Sequence, residues 1–401
     1  MNILIISQYY YPEPFLISEI AEQLALHHNV TVLTGLPNYP SGVIDREYRH
    51  GKRRKEIIGG VKIIRCGLIG KTDSKIRIMA NYLSFMLTAS AKVMTLKEKF
   101  DVVFVYQLSP VLMAVPALLY KALHKKKVYL YCLDAFPAAI ETHISAESFL
   151  YRCVHRISKA IYGWCDRIGV TSPFFTEYLV EENNVSEEKI TYIPQHANGE
   201  MLALNLEKVP NGKTEFMFAG NMGHEQSLDT VVLAADFLAK RKCSFKIHFV
   251  GDGSCEESLK KMVTQKGLNE FVDFHGRQER KKMPLYYKLA DALLLTLSGS
   301  ASSGNTIPGK LQTYMTTGKP IFAAINGTSA DIIAESHCGE CVGAGEAEAL
   351  ADLMEKYMRN PYLYKACGQN GKRYFADHFT LEKHIDCTLH ELEKCANNAF
   401  K

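Results

Sequence analysis

Short apolar runs alternate with amphipathic stretches along the first half of the chain. The runs at Asn2–Ser7, Val30–Thr34, Val61–Arg65, Val102–Tyr106, Val128–Leu133 and Arg167–Thr171 have the length of strands. Between them, apolar residues recur at helical spacing over Ile17–His27, Val111–His124 and Phe149–Tyr162. Such alternation predicts a parallel sheet covered by helices on both faces. After Pro194 the regularity lapses across "QHANGEMLALNLEKVPNGK", whose closing Pro210, Asn211 and Gly212 read as an interdomain connection. It then resumes, with strands expected at Glu215–Ala219, Lys246–Val250, Phe271–Phe274, Ala292–Leu297 and Pro320–Ala324. Helices are expected at Ser227–Lys240, Ser258–Lys266 and Gly309–Thr316, with a helical tail from Ala347 onward. The fold class is therefore α/β, with two doubly wound, Rossmann-like domains and a ligand between them at the carboxyl ends of the strands. The domains are expected at 1–195 and 196–380, and 381–401 forms a C-terminal helix able to pack back toward the first domain.

Composition narrows the class. Of 401 residues, 47% are hydrophobic and 22% charged, as in globular proteins. The 11 cysteines are scattered and odd in number, and "NILIIS" at the start reads as a buried strand, so reduced thiols in a cytoplasm are expected. Charge is unevenly spread: residues 1–170 hold 22 Lys+Arg against 13 Asp+Glu, and residues 171–401 hold 25 against 30. A front half at +9 suits phosphate groups or a phospholipid surface, or is simply a solvated basic face. No segment reaches the roughly 20 apolar residues of a membrane span. Ile76–Met94 comes nearest and is interrupted by Arg77, Asn81 and Lys92. With Lys71, Lys75, Lys97 and Lys99 flanking it, it suits a helix lying on a membrane or a core helix with basic ends.

Several chemistries are excluded by what the turns lack. The first strand–helix turn, "SQYYYPEPFLISE", has no G-x-G-x-x-G, and no Walker sequence follows any strand. Cys338 and Cys341 form a single C-x-x-C without a second pair, there is no Asp-x-Asp to seat a metal-bound nucleotide, and there is no G-x-S-x-G. No nucleic-acid-binding module is present. The second half does offer two phosphate-type helix starts. In "FMFAGNMGHEQSLDTVVLAA" small residues follow a strand end and precede a helix, whose first amides attract anions. In "SGNTIPGKLQTYMTTGKP", Pro308 suits a first helical position, Gly309 lets a ligand reach the backbone, and Lys310 places a cation in the first turn. That cation opposes the helix dipole by about 0.3–1 kcal/mol unless an anion is bound. Gly318 caps the helix and Pro320 stops its continuation.

With these motifs the chain resembles the family-4 retaining glycosyltransferases of GT-B architecture, in the branch that builds bacterial O-antigen, capsular and exopolysaccharides. The resemblance runs through "ILIISQYYYPE", "PNYPSG", "DVVFVYQLSP", "LDAFP", "FAGNMG", "FVGDG", "ADALLLTLS" and "IPGKLQTYMTTGKPI". It also has departures. The family's E-x7-E glutamates fall on Asn305 and Thr313, its diphosphate-holding Arg and Lys on Asn221 and Gln226, and its strand-end histidine on Leu133 beside Asp134. The resemblance implies a retaining, metal-independent transfer of a sugar, an N-acetylated hexosamine or deoxyhexosamine, from a UDP-sugar. The acceptor implied is an undecaprenyl-diphosphate-linked saccharide at the inner face of the plasma membrane. No cofactor or metal is implied. Lys310, Asn221, Gly223 and the stretch Thr306, Ile307, Pro308 and Gly309 are assigned to the diphosphate, and His275 and Arg277 to base and ribose. Asn305 and Thr313 are also assigned to the donor, at the positions of the two family glutamates, the second of which holds the nucleotide ribose. Glu13 and Asp134 are candidates to orient or deprotonate the acceptor hydroxyl. A UDP-sugar epimerase of the same fold, or a non-catalytic partner subunit, are the alternatives.

Overall fold

The computed structural model describes residues 1–72, 74–140, 145, 147–299 and 306–397. The described chain forms two compact units. Met1–Ile193 with His384–Lys401 make the first, and Pro194–Lys383 the second. Each is a Rossmann-like α/β layer structure.

In the first unit eight strands run in the order β3-β4-β2-β1-β5-β6-β7-β8. They are β1 Asn2–Ile6, β2 Asn29–Thr34, β3 Lys55–Ile58, β4 Val61–Arg65, β5 Val102–Gln107, β6 Lys127–Cys132, β7 Arg167–Val170 and β8 Ile190–Tyr192. All pair in parallel except β3, which forms an antiparallel hairpin with β4. The strands are apolar throughout because both faces are covered. Along β1, Leu4 and Ile6 join the core beneath the helices Lys75–Met94, Val115–His124 and Phe149–Trp164. Ile3 and Ile5 point the other way, onto Ile17–Ala25 and the last helix, Leu381–Asn397.

Ion pairing fastens that last helix. Glu391 is buried and bonded to Arg167 of β7, with Lys394 3.3 Å away. Burial alone pushes the Glu391 carboxyl up, but Arg167 and Lys394 together bring it below its ordinary value. His384 packs edge-on against Tyr131 of β6, with ring centroids 5.2 Å apart.

The helix Lys75–Met94 has features of both readings of its segment. Asn81, Phe85, Ala89 and Val93 are buried, whereas Ile76, Met79, Leu83, Leu87 and Met94 stay exposed. The exposed set recurs at helical spacing and forms one apolar stripe opposite the buried one. Phe149, Leu150, Ile157 and Trp164 are likewise exposed along Phe149–Trp164. No helix among the described residues is long and apolar enough to cross a membrane.

The second unit holds six parallel strands in the order β11-β10-β9-β12-β13-β14. These are β9 Thr214–Ala219, β10 Phe245–Val250, β11 Val272–Phe274, β12 Ala292–Thr296, β13 Ile321–Ala324 and β14 Gly339–Val342. One core lies under the helices Asp229–Lys240, Glu256–Gln265 and Ala347–Arg359. The other lies under Met283–Leu289, Gly309–Thr317, Thr328–Ser336 and Lys365–His378. The strand order reverses between β9 and β12, so their outgoing loops diverge and leave a crevice at their carboxyl ends. In open α/β sheets this is where ligands bind.

The Arg167–Glu391 pair gives a stability prediction. Arg167→Met leaves a carboxylate buried without its main partner and should cost about 3 kcal/mol, read from the urea midpoint at pH 7. Because the folded Glu391 value is depressed, its contribution is present above the ordinary carboxylate range. It is lost as pH falls through the folded value. The Arg167→Met/Glu391→Leu double variant should recover most of the loss.

Candidate functional site

Three glycines shape the crevice. After β9 the chain turns through Gly220 at φ +148, after β10 through Gly251 at +140 and Gly253 at +156. These are backbone conformations that side chains rarely adopt. A Cβ on Gly251 would lie 2.0 Å from the Gly220 carbonyl oxygen, and one on Gly253 would lie 2.6 Å from the Met222 backbone. The close approach lets the two loops bond to each other: Met222 N–H donates to the Asp252 carbonyl at 2.7 Å, and Gly220 N–H to that of Val250 at 2.9 Å. A third loop joins where Gly251 N–H donates to the Gly276 carbonyl at 2.9 Å. Gly220, Asn221, Gly251, Asp252 and Arg277 line a cavity of about 470 Å³ over these loops.

The helix Gly309–Thr317 closes the other side. Its anchor is Tyr314, fully buried, whose hydroxyl accepts from Ala219 N–H at 2.8 Å and lies 3.2 Å from the Ala219 carbonyl. Lys310 stands one turn earlier on the same helix face, so fixing Tyr314 also fixes the lysine. Its side chain passes against Gly220, where a Cβ would come within 2.8 Å of the lysine Cε. The amine donates to Gln226 Oε1 and sits 3.7 Å from the centre of the Phe218 ring. No carboxylate among the described residues pairs with it. Burial lowers the Lys310 amine from its ordinary value to about 7. An amine held on an aromatic face and an amide thus stands at the topological switch point, where open α/β sheets bind ligands.

The remaining expected residues distribute as follows. Asn221 and Arg277 are exposed and share the cavity, with Gly223 capping the short turn His224–Gln226 that carries Gln226. Pro308 precedes the first helical residue, and a Cβ on Gly309 would meet nothing within 4 Å, so ligand can reach that backbone. Thr306 is exposed, with its carbonyl 3.4 Å from the Ser329 hydroxyl, and Ile307 packs partly on the core. Thr313 donates its hydroxyl to the Gly309 carbonyl at 2.9 Å, within its own helix. Asn305 lies outside the described residues. The His275 Nε2 lies 3.0 Å from His248 Nδ1. Tyr314 and Phe218 were not singled out from sequence because both read as core; the signal available was the i, i+4 spacing of Lys310 and Tyr314.

In the first unit, Glu13 is held by backbone amides. It is only 6% exposed, and its carboxylate accepts backbone N–H bonds from Tyr10 at 3.2 Å, Asn38 at 2.8 Å and Tyr39 at 2.7 Å. Burial pushes its carboxyl up, while those three amides and Arg65 pull against the rise. Both oxygens thus tie "YYPEP" to "PNYPSG". Asp134 is half-buried and keeps one oxygen, Oδ2, 3.1 Å from the Ser109 amide. Near it in electrostatic reach is Tyr82, which bonds to Tyr9, whose hydroxyl receives Lys71 Nζ at 3.1 Å. Tyr9, Phe15 and Tyr39 form an aromatic group here, with Tyr9 stacked on Phe15 at 5.1 Å and Phe15 edge-on to Tyr39 at 5.0 Å.

The glycine contacts predict an asymmetry. Gly251→Ala should destabilise the fold by about 3 kcal/mol or more, since backbone must move. Gly309→Ala should leave stability within about 1 kcal/mol, since the site is open and alanine favours helix. Thermal unfolding of the two variants checks this.

Residues 205–374 match the family described as Glycosyl transferases group 1. Among curated proteins, the chain is 25% identical over 325 residues to a colanic acid biosynthesis glycosyl transferase, WcaI, of Escherichia coli, covering 75% of this chain and 76% of that one. It is 26% identical over 246 residues to an α-1,4-N-acetyl-D-galactosaminyltransferase of Campylobacter jejuni whose name gives an undecaprenol-diphosphate-linked glycan, covering 60% and 64%. In fold it is similar to a sucrose-phosphate synthase from Thermosynechococcus elongatus, at TM-score 0.72 and 15% identity over 99% of both chains. It is similar also to the Anabaena HepE protein in complex with UDP, at TM-score 0.69 and 13% identity over 98% of this chain and 100% of that one. Residues 205–374 therefore carry a glycosyl transferases group 1 domain, the fold is that of GT-B glycosyltransferases, and the chain has a relative in colanic acid biosynthesis.

Proposed function

We propose that this glycosyltransferase moves an N-acetylated hexosamine or deoxyhexosamine from a UDP-sugar to a lipid-diphosphate-linked glycan in surface polysaccharide synthesis, with retention and without a metal at the diphosphate. The observation that carries the reading is Lys310, an amine with no carboxylate partner among the described residues, at the strand-end crevice of the second unit. Transfer from a nucleotide sugar builds negative charge on the departing diphosphate, and a preorganised cation in a dry site is the most effective way to meet it. Lys310 supplies that charge, with Asn221, Arg277 and the Gly309 backbone around it. Its hydrogen-bond acceptor, Gln226, is the residue that stands where the family has a lysine. The charge lost at 226 is thus delivered to the same place from 310. Asp134 is the residue proposed to orient the acceptor hydroxyl. The lipid-linked acceptor in the name of the Campylobacter relative supports the choice of acceptor, and the UDP bound in the Anabaena structure supports the choice of UDP.

The location proposed is the inner face of the plasma membrane. Ile76 is 80% exposed, Leu87 62%, Phe149 76% and Trp164 62%. Large apolar groups left on two helices, with Lys75, Arg77 and Lys92 on the first of them, suit an anionic lipid surface.

Two measurements test these statements. Titration with UDP without added magnesium should show binding that Lys310→Ala weakens by about 10²-fold or more. In the wild type, affinity should fall as pH rises above 7.5, by up to about tenfold per unit, because the amine must take up a proton on binding. If Lys310→Ala binds UDP as well as wild type, the assignment fails. Trp164 is the sole tryptophan, so its emission should shift to the blue on anionic vesicles, and Leu87→Glu should reduce vesicle binding about tenfold or more. Vesicle binding unchanged by salt and by Leu87→Glu would remove the membrane placement.

A further inference from the structure

On the sheet of the second unit, three chemistry-bearing side chains meet away from the diphosphate site. The register of β10 and β11 sets His248 opposite Asp273, and His275 follows two residues on, where the period of a strand returns to the same face. Their ligand-type atoms all lie within 4.8 Å of one another. His248 Nδ1 is 3.0 Å from His275 Nε2 and 3.8 Å from Asp273 Oδ2. A metal bound at about 2.0–2.1 Å in tetrahedral geometry places its ligand atoms roughly 3.3–3.4 Å apart, inside the observed range.

The second nitrogen of His248 adds an independent observation. His248 is 6% exposed, and its Nε2 is buried with no hydrogen-bond partner among the described residues, 3.8 Å from Glu215 Oε1. Were His248 Nδ1 the donor in the histidine pair, Nε2 would be a bare lone pair facing a carboxylate. With a metal on Nδ1, the proton must reside on Nε2 and point to Glu215. That is the carboxylate–histidine–metal arrangement that orients ligating imidazoles. Asp273 divides its oxygens in the same sense: Oδ1 receives Lys246 Nζ at 2.8 Å, and Oδ2 faces the histidines.

We infer that His248 Nδ1, His275 Nε2 and Asp273 form a binding site for a zinc-class divalent cation, with a fourth position open to water. Two imidazoles and a carboxylate suit zinc among the first-row ions. The cation joins the end of β11 to β10 immediately before Gly276, whose carbonyl holds Gly251, and Arg277, which lines the cavity. Its role is to fix that loop. It takes no part in the transfer step, so it stands or falls independently of the Lys310 assignment.

The test is zinc and cobalt(II) titration of chelator-stripped protein, with bound metal counted after dialysis. Wild type should hold one equivalent more than His248→Ala or Asp273→Asn, and the cobalt form should show visible absorption from nitrogen and oxygen ligands that those variants lack. Since either variant can fold poorly, Lys246→Met provides the second arm. Removing the competing cation should tighten zinc binding about tenfold, and raise the thermal shift that zinc produces. Equal zinc binding by wild type and His248→Ala, together with no tightening in Lys246→Met, overturns the site and leaves a hydrogen-bonded histidine pair.

Discussion

A buried amine with no carboxylate partner among the described residues is the constraint around which the second unit is arranged. Keeping Lys310 in place takes a helix tied by Tyr314 to Ala219, a glycine at 220 to make room, and an aromatic ring and an amide as the nearest partners. Each contact favours a charge only weakly, and burial outweighs them, which is why the amine falls to about 7. Such a residue costs the empty fold stability and returns it when an anion binds, which is the pattern expected of a binding group and not of a structural one.

Under the proposed assignment, the same arrangement would let a site lose its family's usual side chains and keep its chemistry. Charge at a diphosphate has to be in one place, and it need not come from one position in the chain. Gln226 and Lys310 meet although 84 residues separate them. Around them, three glycine-bearing loops bond to one another backbone to backbone, so the crevice is built without side chains that a substrate would have to displace.

Much of this was legible in the sequence. Strands buried on both faces stand out as apolar runs, and the cap at Gly318, found at φ +75, followed from a glycine before Lys-Pro. The missed strands are short or peripheral. β3 is the antiparallel edge and exposes Lys55 and Ile57, β8 is three residues long, and β14 is nowhere fully buried. Lys310 could be found because a cation in a helix's first turn contradicts the dipole. Glu13 could not be placed, because its partners, Asn38 and Tyr39, lie 25 and 26 residues on, and only folding shows that its carboxylate is already engaged. His248 and the Asp273–His275 pair were equally invisible: their spacing matches no metal motif, and the register of two parallel strands brings them together.

The central claim is that Lys310 is largely neutral in the empty site and charged when a diphosphate occupies it. Calorimetric titration with UDP at pH 8, in two buffers of different ionisation enthalpy, measures this directly as the protons taken up on binding. Uptake approaching one proton per UDP, abolished in Lys310→Ala, is the predicted result. Binding with no proton uptake in the wild type would contradict it.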